Sequence, residues 1–308
     1  MKVLVAGATG AVGRRLVPQL IERGHEVVGT TTQPEKFALL HALGADAVHM
    51  DGLDAVEVQD VVAATKPDAI VHQMTALAAG RDLKHFDRVF ALTNRLRTEG
   101  TRHLLTAATA SGVDRFVVQS YCGGWNTRGA TEDVPLADDA VPSQRESLAA
   151  IKELESLARE RGAVLRYGNL YGPGASEVFV ELVRKRGIPV IGDGAGVSSW
   201  LHVDDAASAA VAAIERGARG IFNVVDDEPA PVSEWLPALA AAVGARPPRR
   251  LPVWLARPLA GEAVVRMMTE GRGASNAKAK RELGWQPRWP SWRDGFVRGL
   301  GDREALAA

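Results

Sequence analysis

A glycine-rich segment near the start of the chain has the residue types and spacing of a phosphate-binding loop. The segment is Gly7-Ala8-Thr9-Gly10-Ala11-Val12-Gly13, and it lies between the β-branched run Val3–Ala6 and the helical pattern Val12–Arg23. In such a loop the glycines allow a tight turn, a close approach of backbone to pyrophosphate, and close helix–strand packing. The helix start adds unpaired N–H groups and a positive dipole end. The pattern predicts a dinucleotide site with six contact residues: Gly7, Thr9, Gly10, Ala11, Val12 and Gly13.

The end of the second apolar run bears on the choice of dinucleotide. A carboxylate there would bind the ribose 2′-hydroxyl of NAD, but the chain has Thr30-Thr31-Thr32 and no acid before Glu35. Hydroxyls do not repel a 2′-phosphate, and nearby cations would attract it. The pattern therefore favours NADP over NAD, with these side chains as cofactor contacts: Arg14, Thr31, Thr32 and Lys36. Arg14 and Arg15 are equally consistent with a solvated helix face.

Seven short apolar runs alternate with helical patterns and must position these residues. The runs are Val3–Ala6, Val27–Thr30, Ala47–Met50, Ala69–His72, Phe116–Gln119, Val164–Arg166 and Ile221–Val224. The longer helical patterns are Lys84–Ser111 and Ser143–Arg161. This alternation predicts an α/β Rossmann fold, a doubly wound parallel seven-stranded sheet that binds ligands beyond the carboxyl ends of its strands.

The composition shifts after Asp227, where Pro, Trp and Arg become frequent and helical patterns cover Val232–Val243, Leu255–Met268 and Ala277–Leu283. We expect a small, mostly helical C-terminal cap. The predicted nucleotide-binding domain is 1–170, to which 201–227 returns, and the predicted substrate-binding cap is 171–200 with 228–308. Four tryptophans are expected to pack the cap onto the sheet: Trp254, Trp285, Trp289 and Trp292.

The charge balance argues against some classes of partner. The 37 Lys and Arg equal the 37 Asp and Glu, so a nucleic-acid binder is not indicated. Residues 246–308 nevertheless carry 13 basic against 6 acidic residues. They are either a solvated basic surface or a face toward an anionic small-molecule substrate, with Arg249, Arg250 and Arg272 as candidates. A single cysteine, no apolar run long enough for a bilayer and no room for a signal peptide suggest a cytoplasmic protein without a membrane or metal site.

The chain resembles the extended, atypical short-chain dehydrogenase/reductase superfamily, in particular NAD-dependent epimerase/dehydratase-like proteins. Besides the loop, the resemblance rests on Asp51-Gly52-Leu53, Gly100–Leu105, Arg166–Pro173, Gly192-Asp193-Gly194, Trp200–Asp205 and Leu283–Pro287. It implies that Asp51, Gly52 and Leu53 contact adenine and that Tyr167, Gly168 and Asn169 lie near the nicotinamide. It also implies a possible homodimer formed through two long helices.

The catalytic pattern of that family is missing. The family uses Tyr-x-x-x-Lys on one helix, where the lysine holds the nicotinamide ribose and lowers the pKa of the tyrosine that transfers a proton. None of the three tyrosines, Tyr121, Tyr167 and Tyr171, is followed by lysine at that spacing. One alignment puts Ser143 and Ser147 in the two positions, and another puts Leu148 and Lys152 there.

Other side chains are candidates for the proton donor. Tyr121 follows the fifth strand and is either a relocated phenol, helped by Ser120, or a wall of the pocket. His72 and His202 lie near strand ends and titrate near neutral pH, although a structural role suits both. The sequence favours an NADPH-dependent reductase of a small carbonyl compound. The alternatives are a non-redox dehydratase, isomerase or cyclase on the same scaffold, and an NADP-responsive binding protein.

Overall fold

The computed structural model describes residues 1–77, 83–122, 130–136 and 141–301. Thirteen strands are found there: β1 (Lys2–Ala6), β2 (Glu26–Thr31), β3 (Asp46–His49), β4 (Ala69–His72), β5 (Arg115–Tyr121), β6 (Ala163–Tyr167), β7 (Asn169–Tyr171), β8 (Val190–Ile191), β9 (Val197–Ser198), β10 (Trp200–His202), β11 (Gly220–Val224), β12 (Ala230–Pro231) and β13 (Arg250–Leu251). The same residues form twelve α-helices: α1 (Gly13–Glu22), α2 (Phe37–Ala42), α3 (Ala55–Thr65), α4 (Phe86–Arg95), α5 (Thr101–Ala110), α6 (Arg145–Ala158), α7 (Glu177–Arg184), α8 (Val203–Arg216), α9 (Val232–Ala242), α10 (Val253–Ala260), α11 (Glu262–Glu270) and α12 (Trp292–Arg298).

The main sheet has seven strands in the order β11-β6-β5-β4-β1-β2-β3. Every pairing in it is parallel. The order reverses at β1, which leaves a crevice beyond the carboxyl ends of β1 and β4. All seven predicted strands lie in this sheet, so the predicted Rossmann fold is confirmed.

Two apolar clusters bury the two faces of the sheet. On one face, Leu16 and Leu20 of α1 pack with Ala206 and Ala210 of α8. On the other face, side chains of α3, α5 and α6 pack against the strands, among them Val58, Leu104 and Leu154. Because α-helices cover both faces, the strands read as continuous apolar runs in the sequence.

The predicted long helix around Lys84–Ser111 is helical in the structure but is not one α-helix. A 3₁₀ turn (Leu83–His85) leads into α4, and a π-helical turn (Leu96–Gly100) joins α4 to α5. A π turn needs one residue more than an α-helix needs over the same rise, and hydrophobic periodicity does not reveal it.

The C-terminal cap surrounds its own aromatic core. Trp200, Trp235, Trp292 and Phe296 are buried there with aliphatic side chains of α7 and α9. The prediction for Trp254 is wrong, because this side chain is 73% exposed on α10. Trp285 packs with the sheet and α8 as predicted, whereas Trp292 is buried in the core of the cap itself. The division into two domains stays a prediction, and residues 302–308 of the cap lie outside the described ranges.

The predicted helix Leu255–Met268 is interrupted at Gly261. This glycine has φ +87°, and a Cβ there would lie 3.2 Å from Cα of Lys84. The positive φ ends α10, and α11 starts one residue later. Lys84 also donates from Nζ to the carbonyl of Pro258 at 2.9 Å. The cap therefore contacts the segment that leads from β4 into α4.

Candidate functional site

The glycine loop turns tightly at the carboxyl end of β1. Gly7 has φ +87°, and a Cβ there would lie 2.8 Å from the carbonyl carbon of Gln73. A Cβ at Gly13 would lie 2.4 Å from the carbonyl oxygen of Gly7. Gly10 differs, because its φ is ordinary and the nearest atom lies at 3.4 Å, again the Gly7 oxygen. The protein itself therefore requires glycine at 7 and 13, whereas a side chain at Gly10 would mainly fill the space above the loop.

The start of α1 is open to an anion. Val12 occupies the N-cap, no side chain caps the helix, and its first turn holds no acidic residue. The first N–H groups and the positive end of the helix dipole therefore suit a phosphate. Together with the bare backbone at Gly10, this arrangement fits a dinucleotide pyrophosphate. Thr9, Gly10, Ala11, Val12 and Gly13 would hold it.

Thr31 joins the end of β2 to the loop. Its Oγ1 accepts from Thr9 Oγ1 at 3.2 Å and from the backbone N–H of Gln33 at 3.2 Å. Thr32 is exposed, and Lys36 is half-buried in the turn that follows. Arg14 is exposed and its guanidinium lies against Gly174. Arg15, in contrast, forms an ion pair with Asp204 at 3.5 Å.

The turn after β3 lies beside the end of β4. A Cβ at Gly52 would lie 2.5 Å from the sulfur of Met74, so the turn packs directly on the residue that follows β4. Asp51 Oδ1 accepts from the N–H of Leu53 at 2.9 Å, and the N–H of Asp51 donates to Glu57. The structure thus holds Asp51, Gly52 and Leu53 in one fixed turn on the β2–β3 side of the crevice.

Tyr121 ends β5 at the carboxyl edge of the sheet. Its hydroxyl donates to Asn169 Oδ1 at 2.8 Å, which joins two of the predicted site residues. Burial raises the pKa of Tyr121 well above its ordinary value. Its phenol is therefore a weak acid whose O–H points at Asn169 Oδ1.

Ser120 points away from Tyr121, as alternate residues of a strand do. Its hydroxyl donates to Glu155 Oε1 at 2.9 Å, and the same carboxylate receives two hydrogen bonds from Arg166, at 2.7 and 2.6 Å. The three side chains are buried. In this position the hydroxyl supports the buried ion pair that Glu155 of α6 forms with Arg166 of β6.

Tyr167 lies in the core between the sheet and α8. It is 2% exposed, and its hydroxyl accepts from Gln73 Nε2 at 3.1 Å and donates to the carbonyl of Ala206 at 3.2 Å. At the next residue, Gly168, a Cβ would lie 2.8 Å from the carbonyl oxygen of Ser199. Of the three residues placed near the nicotinamide by resemblance, Asn169 receives the side-chain hydrogen bond from Tyr121, while Tyr167 lies opposite Tyr121 on the neighbouring strand.

Ser143, Ser147 and Lys152, which the two alignments place at the positions of the family's tyrosine and lysine, lie on or just before α6. Ser147 is fully buried; its hydroxyl donates to Asp87 Oδ1 at 2.6 Å and accepts from Asn94 Nδ2 at 2.9 Å. Ser143 is half-buried in the 3₁₀ turn (Pro142–Gln144) before the helix. Lys152 is half-buried and has interactions of its own.

The two histidines have structural partners. His72 contacts the carbonyl of Leu96 through Nε2 and accepts from the N–H of Met74 through Nδ1; burial lowers its pKa to about 4. His202 caps α8 and contacts the carbonyl of Gly299 through Nε2 at 2.8 Å. Burial lowers the pKa of His202 as well. Both side chains are neutral near pH 7.

A cleft of about 600 Å³ lies in the cap. It is lined by Asp193, Ala195, Val197, Pro229, Pro231, Ser233, Arg272, Gly273 and Ala274. Of the three arginines considered for an anionic substrate, Arg272 lines this cleft, whereas Arg249 and Arg250 do not.

Two residues at the site had no signal in the sequence. Gln73 follows β4 and contacts Tyr167, and its buried Oε1 has no partner within the described ranges. Arg97 lies on the π turn, and its charge acts on both His72 and Tyr121. A helical pattern alone could not place Arg97 at this edge, because the π turn changes which face it occupies.

The described part of the chain shows neither a membrane-crossing helix nor a metal cluster. None of its helices is both long and apolar enough to span a bilayer. No three His, Cys, Asp or Glu side chains within those ranges are grouped so that they could hold a metal ion.

Comparison with known proteins gives one family. The NAD dependent epimerase/dehydratase family matches residues 3–224. A 3-diazoavenalumate denitrifying reductase from a Streptomyces species is 46% identical over 310 residues, which cover 97% of this chain and 100% of that protein. A 2-alkyl-3-oxoalkanoate reductase from Stenotrophomonas maltophilia is 27% identical and covers 80% of this chain and 76% of its own.

Solved structures agree on the fold. A human epimerase family protein determined with NADPH superposes with a TM-score of 0.76 at 24% identity, covering 97% of this chain and 99% of its own. The Thermus thermophilus UDP-glucose 4-epimerase complex with NAD gives a TM-score of 0.73 at 23% identity, over 100% and 99% of the two chains.

These matches confirm the predicted resemblance and the assignment as an enzyme of nicotinamide chemistry. The uncapped start of α1, the glycine loop and the strand order all agree with them. The chain belongs to the NAD dependent epimerase/dehydratase family.

Proposed function

We propose that this protein is an NADPH-dependent reductase that replaces the diazonium group of an aromatic carboxylate by hydrogen. The observation that carries the proposal is an intact dinucleotide loop in a chain that has no Tyr-x-x-x-Lys pair. The 46% identity to a 3-diazoavenalumate denitrifying reductase supports the choice of substrate class.

The missing pair fits this reaction because the reaction needs no acid. Bound NADPH supplies a hydride, and an arenediazonium ion that accepts it gives the arene and N₂, with NADP⁺ as the other product. Carbonyl reduction, in contrast, also takes up one proton at the new oxygen. Without an oxyanion to protonate, a site with a poorly acidic Tyr121 and neutral His72 is sufficient.

NADP is favoured by the side chains at the end of β2. Thr31 and Thr32 replace the carboxylate that would bind an unphosphorylated ribose, and Lys36 and Arg14 lie nearby in sequence. The NADPH in one structural relative is consistent with this choice, while NAD is present in another.

The substrate's carboxylate would have a cationic contact in the cap. Arg272 is exposed and lines the cap cleft, and no ion pair within the described ranges occupies it. A guanidinium can bind a carboxylate with two parallel hydrogen bonds. A homodimer and a cytoplasmic location stay predictions.

Isotope transfer tests the reaction. The purified protein is mixed with NADPH deuterated at the transferable position and with a diazotised aminobenzoate, and the benzoate product is analysed by mass spectrometry. We expect deuterium on the carbon that carried nitrogen, at a rate well above that without protein. Absence of any rate increase, together with turnover of a carbonyl substrate, would contradict the proposal.

A Tyr121→Phe variant separates this function from the second candidate, a carbonyl reductase with Tyr121 as the acid. The hydrogen bond from Tyr121 to Asn169 favours that candidate, because it places a phenol at the sheet edge. For diazonium reduction we expect the variant to keep nearly the full kcat. For carbonyl reduction by a phenol, loss of the acid would lower kcat by about 10²-fold or more.

A further inference from the structure

Arg97 lies at the carboxyl end of β4, on the π turn between α4 and α5. The carbonyl of Leu96, the residue before it, contacts Nε2 of His72, the last residue of β4, at 3.2 Å. Asn94, three residues before Arg97, donates to Ser147 on α6. Arg97 is therefore fixed between the edge of the sheet and α6. Single π turns within helices occur frequently at functional sites.

The guanidinium of Arg97 has few partners. Within the described residues, its one hydrogen bond runs from Nη1 to Asn94 Oδ1 at 3.5 Å, the limit of such contacts. No carboxylate within the described ranges forms an ion pair with it, although a guanidinium carries five donors. Its side chain is half-buried, and loss of solvent lowers the pKa of Arg97 to about 10, so that it stays charged near pH 7. A partly desolvated cation that lacks a counter-charge among the described residues is unfavourable, and a bound anion would relieve that cost.

Among the described residues, the groups on which the charge of Arg97 acts offer no counter-charge. His72 and Tyr121, on which its charge acts, are both neutral near pH 7. The face of α6 that packs on Tyr121 is apolar, with Leu148 and Ile151. The part of α6 that packs on Tyr121 thus presents aliphatic side chains, whereas Arg97 approaches from the opposite helix.

We propose that Arg97 binds the nicotinamide half of the dinucleotide, at its ribose and the adjoining phosphate. In this role it supplies, from the π turn, the positive charge that the family's lysine supplies from the helix after β5. The inference rests on the proposed use of NADPH. It makes Arg97 a cofactor-binding residue and requires no proton from it.

Calorimetric titration with two nucleotides tests this assignment. NADPH contains the nicotinamide ribose, whereas adenosine 2′,5′-bisphosphate ends before it. For Arg97→Met we expect the NADPH affinity to fall by about tenfold or more, since a charge-assisted hydrogen bond is lost. The affinity for adenosine 2′,5′-bisphosphate should stay unchanged, and Arg97→Lys should recover part of the NADPH affinity. If the wild type prefers NADH, the pair becomes NADH and AMP, because AMP also ends before the nicotinamide-side phosphate.

The control is Arg95→Met, an exposed arginine of α4 that pairs with Glu99. It should bind both nucleotides like the wild type. Without nucleotide, Arg97→Met should unfold at a temperature no lower than the wild type, because it loses an uncompensated charge. If Arg97→Met bound both nucleotides more weakly to the same degree, or unfolded at a lower temperature than the wild type, Arg97 would have a structural role and the inference would be overturned.

Two further outcomes separate the inference from the proposed function. Unchanged NADPH affinity with a raised KM for an anionic substrate would place Arg97 at the substrate and overturn the inference alone. A wild type that binds neither NADPH nor NADH would overturn both.

Discussion

Ser120 and Tyr121 are neighbours in the chain but belong to different parts of the molecule. Ser120 donates to the buried pair of Glu155 and Arg166, while Tyr121 donates to Asn169 at the edge of the site. The alternation of a β-strand separates them. A chemical role for one therefore does not extend to the other.

Substitutions at the buried pair should change stability. We expect Ser120→Ala to lower the free energy of unfolding by about 1 kcal/mol, the value of one hydrogen bond. Glu155→Gln should cost about 3–5 kcal/mol, because it leaves the Arg166 charge buried without its counter-ion. Urea denaturation measures both. A Ser120→Ala variant with normal stability but greatly reduced turnover would instead place Ser120 in the chemistry.

The sequence predicts a cofactor loop but gives no signal for the proposed role of Arg97. Gly7, Gly10 and Gly13 are recognisable because a strand and a helix flank them at a characteristic spacing. The importance of Arg97 depends on a π turn and on the absence of a nearby carboxylate, and neither is encoded in local spacing. The same limit applies to Tyr167, whose burial depends on how α8 packs on the sheet.

At the scale of elements, the glycine loop has one glycine that the fold requires and one that the fold does not require. Gly13 is needed by the protein, since a Cβ there would lie 2.4 Å from the Gly7 oxygen. Gly10 is not crowded by the protein, so we expect its lack of a side chain to serve the ligand. We therefore expect a substitution at Gly10 to change nucleotide binding and a substitution at Gly13 to change the stability of the fold.

Two alanine variants test this separation. Gly10→Ala should leave the unfolding temperature of the nucleotide-free protein nearly unchanged and weaken NADPH binding by about tenfold or more. Gly13→Ala should destabilise the protein by about 1–3 kcal/mol, as crowding of a packed site does. Thermal unfolding and calorimetry measure the two effects. Wild-type NADPH affinity in Gly10→Ala would contradict the assignment of this backbone to the pyrophosphate.

The predicted boundaries of strands and helices match the structure where turn residues and hydrophobic periodicity indicate the same boundary. They do not match where contacts between distant parts of the chain determine the boundary. The seven strands were predictable because each is a short apolar run between turn residues. The break between α10 and α11 was not, because Gly261 within a helical pattern is a break only when a neighbour, here Lys84, requires its positive φ.

At the scale of the whole molecule, buried carboxylates hold the C-terminal segment. Asp205 at the start of α8 accepts from the N–H groups of Arg288 and Trp289, at 2.7 and 2.9 Å. Asp226, just after β11, accepts from the N–H of Trp292 at 3.0 Å. Burial raises the pKa of Asp205 to about 6 and that of Asp226 to about 8.

These pKa values make stability depend on pH. An unfolded aspartate titrates near pH 4, so between about pH 4 and pH 8 folded Asp226 retains a proton that the unfolded chain releases. The contribution of Asp226 to stability is complete below this window and is lost as pH rises through it, at up to about 1.4 kcal/mol per pH unit.

Asp226→Asn should remove that dependence. We expect its free energy of unfolding to fall less than that of the wild type between mildly acidic and mildly alkaline pH. The exposed Asp114→Asn variant serves as the control and should follow the wild type. Denaturant titrations at several pH values measure the slopes, and parallel slopes for wild type and Asp226→Asn would contradict the prediction.

The same contacts set an order of events during synthesis. His202, Asp205 and Asp226 lie in the nucleotide-binding half, yet their partners lie between Arg288 and Gly299. While the ribosome is still making the cap, these groups lack their C-terminal partners, although His202 and Asp226 already have the nearby N–H groups of Asp204 and Glu228. We therefore expect these long-range contacts to form only after almost the entire chain has been translated.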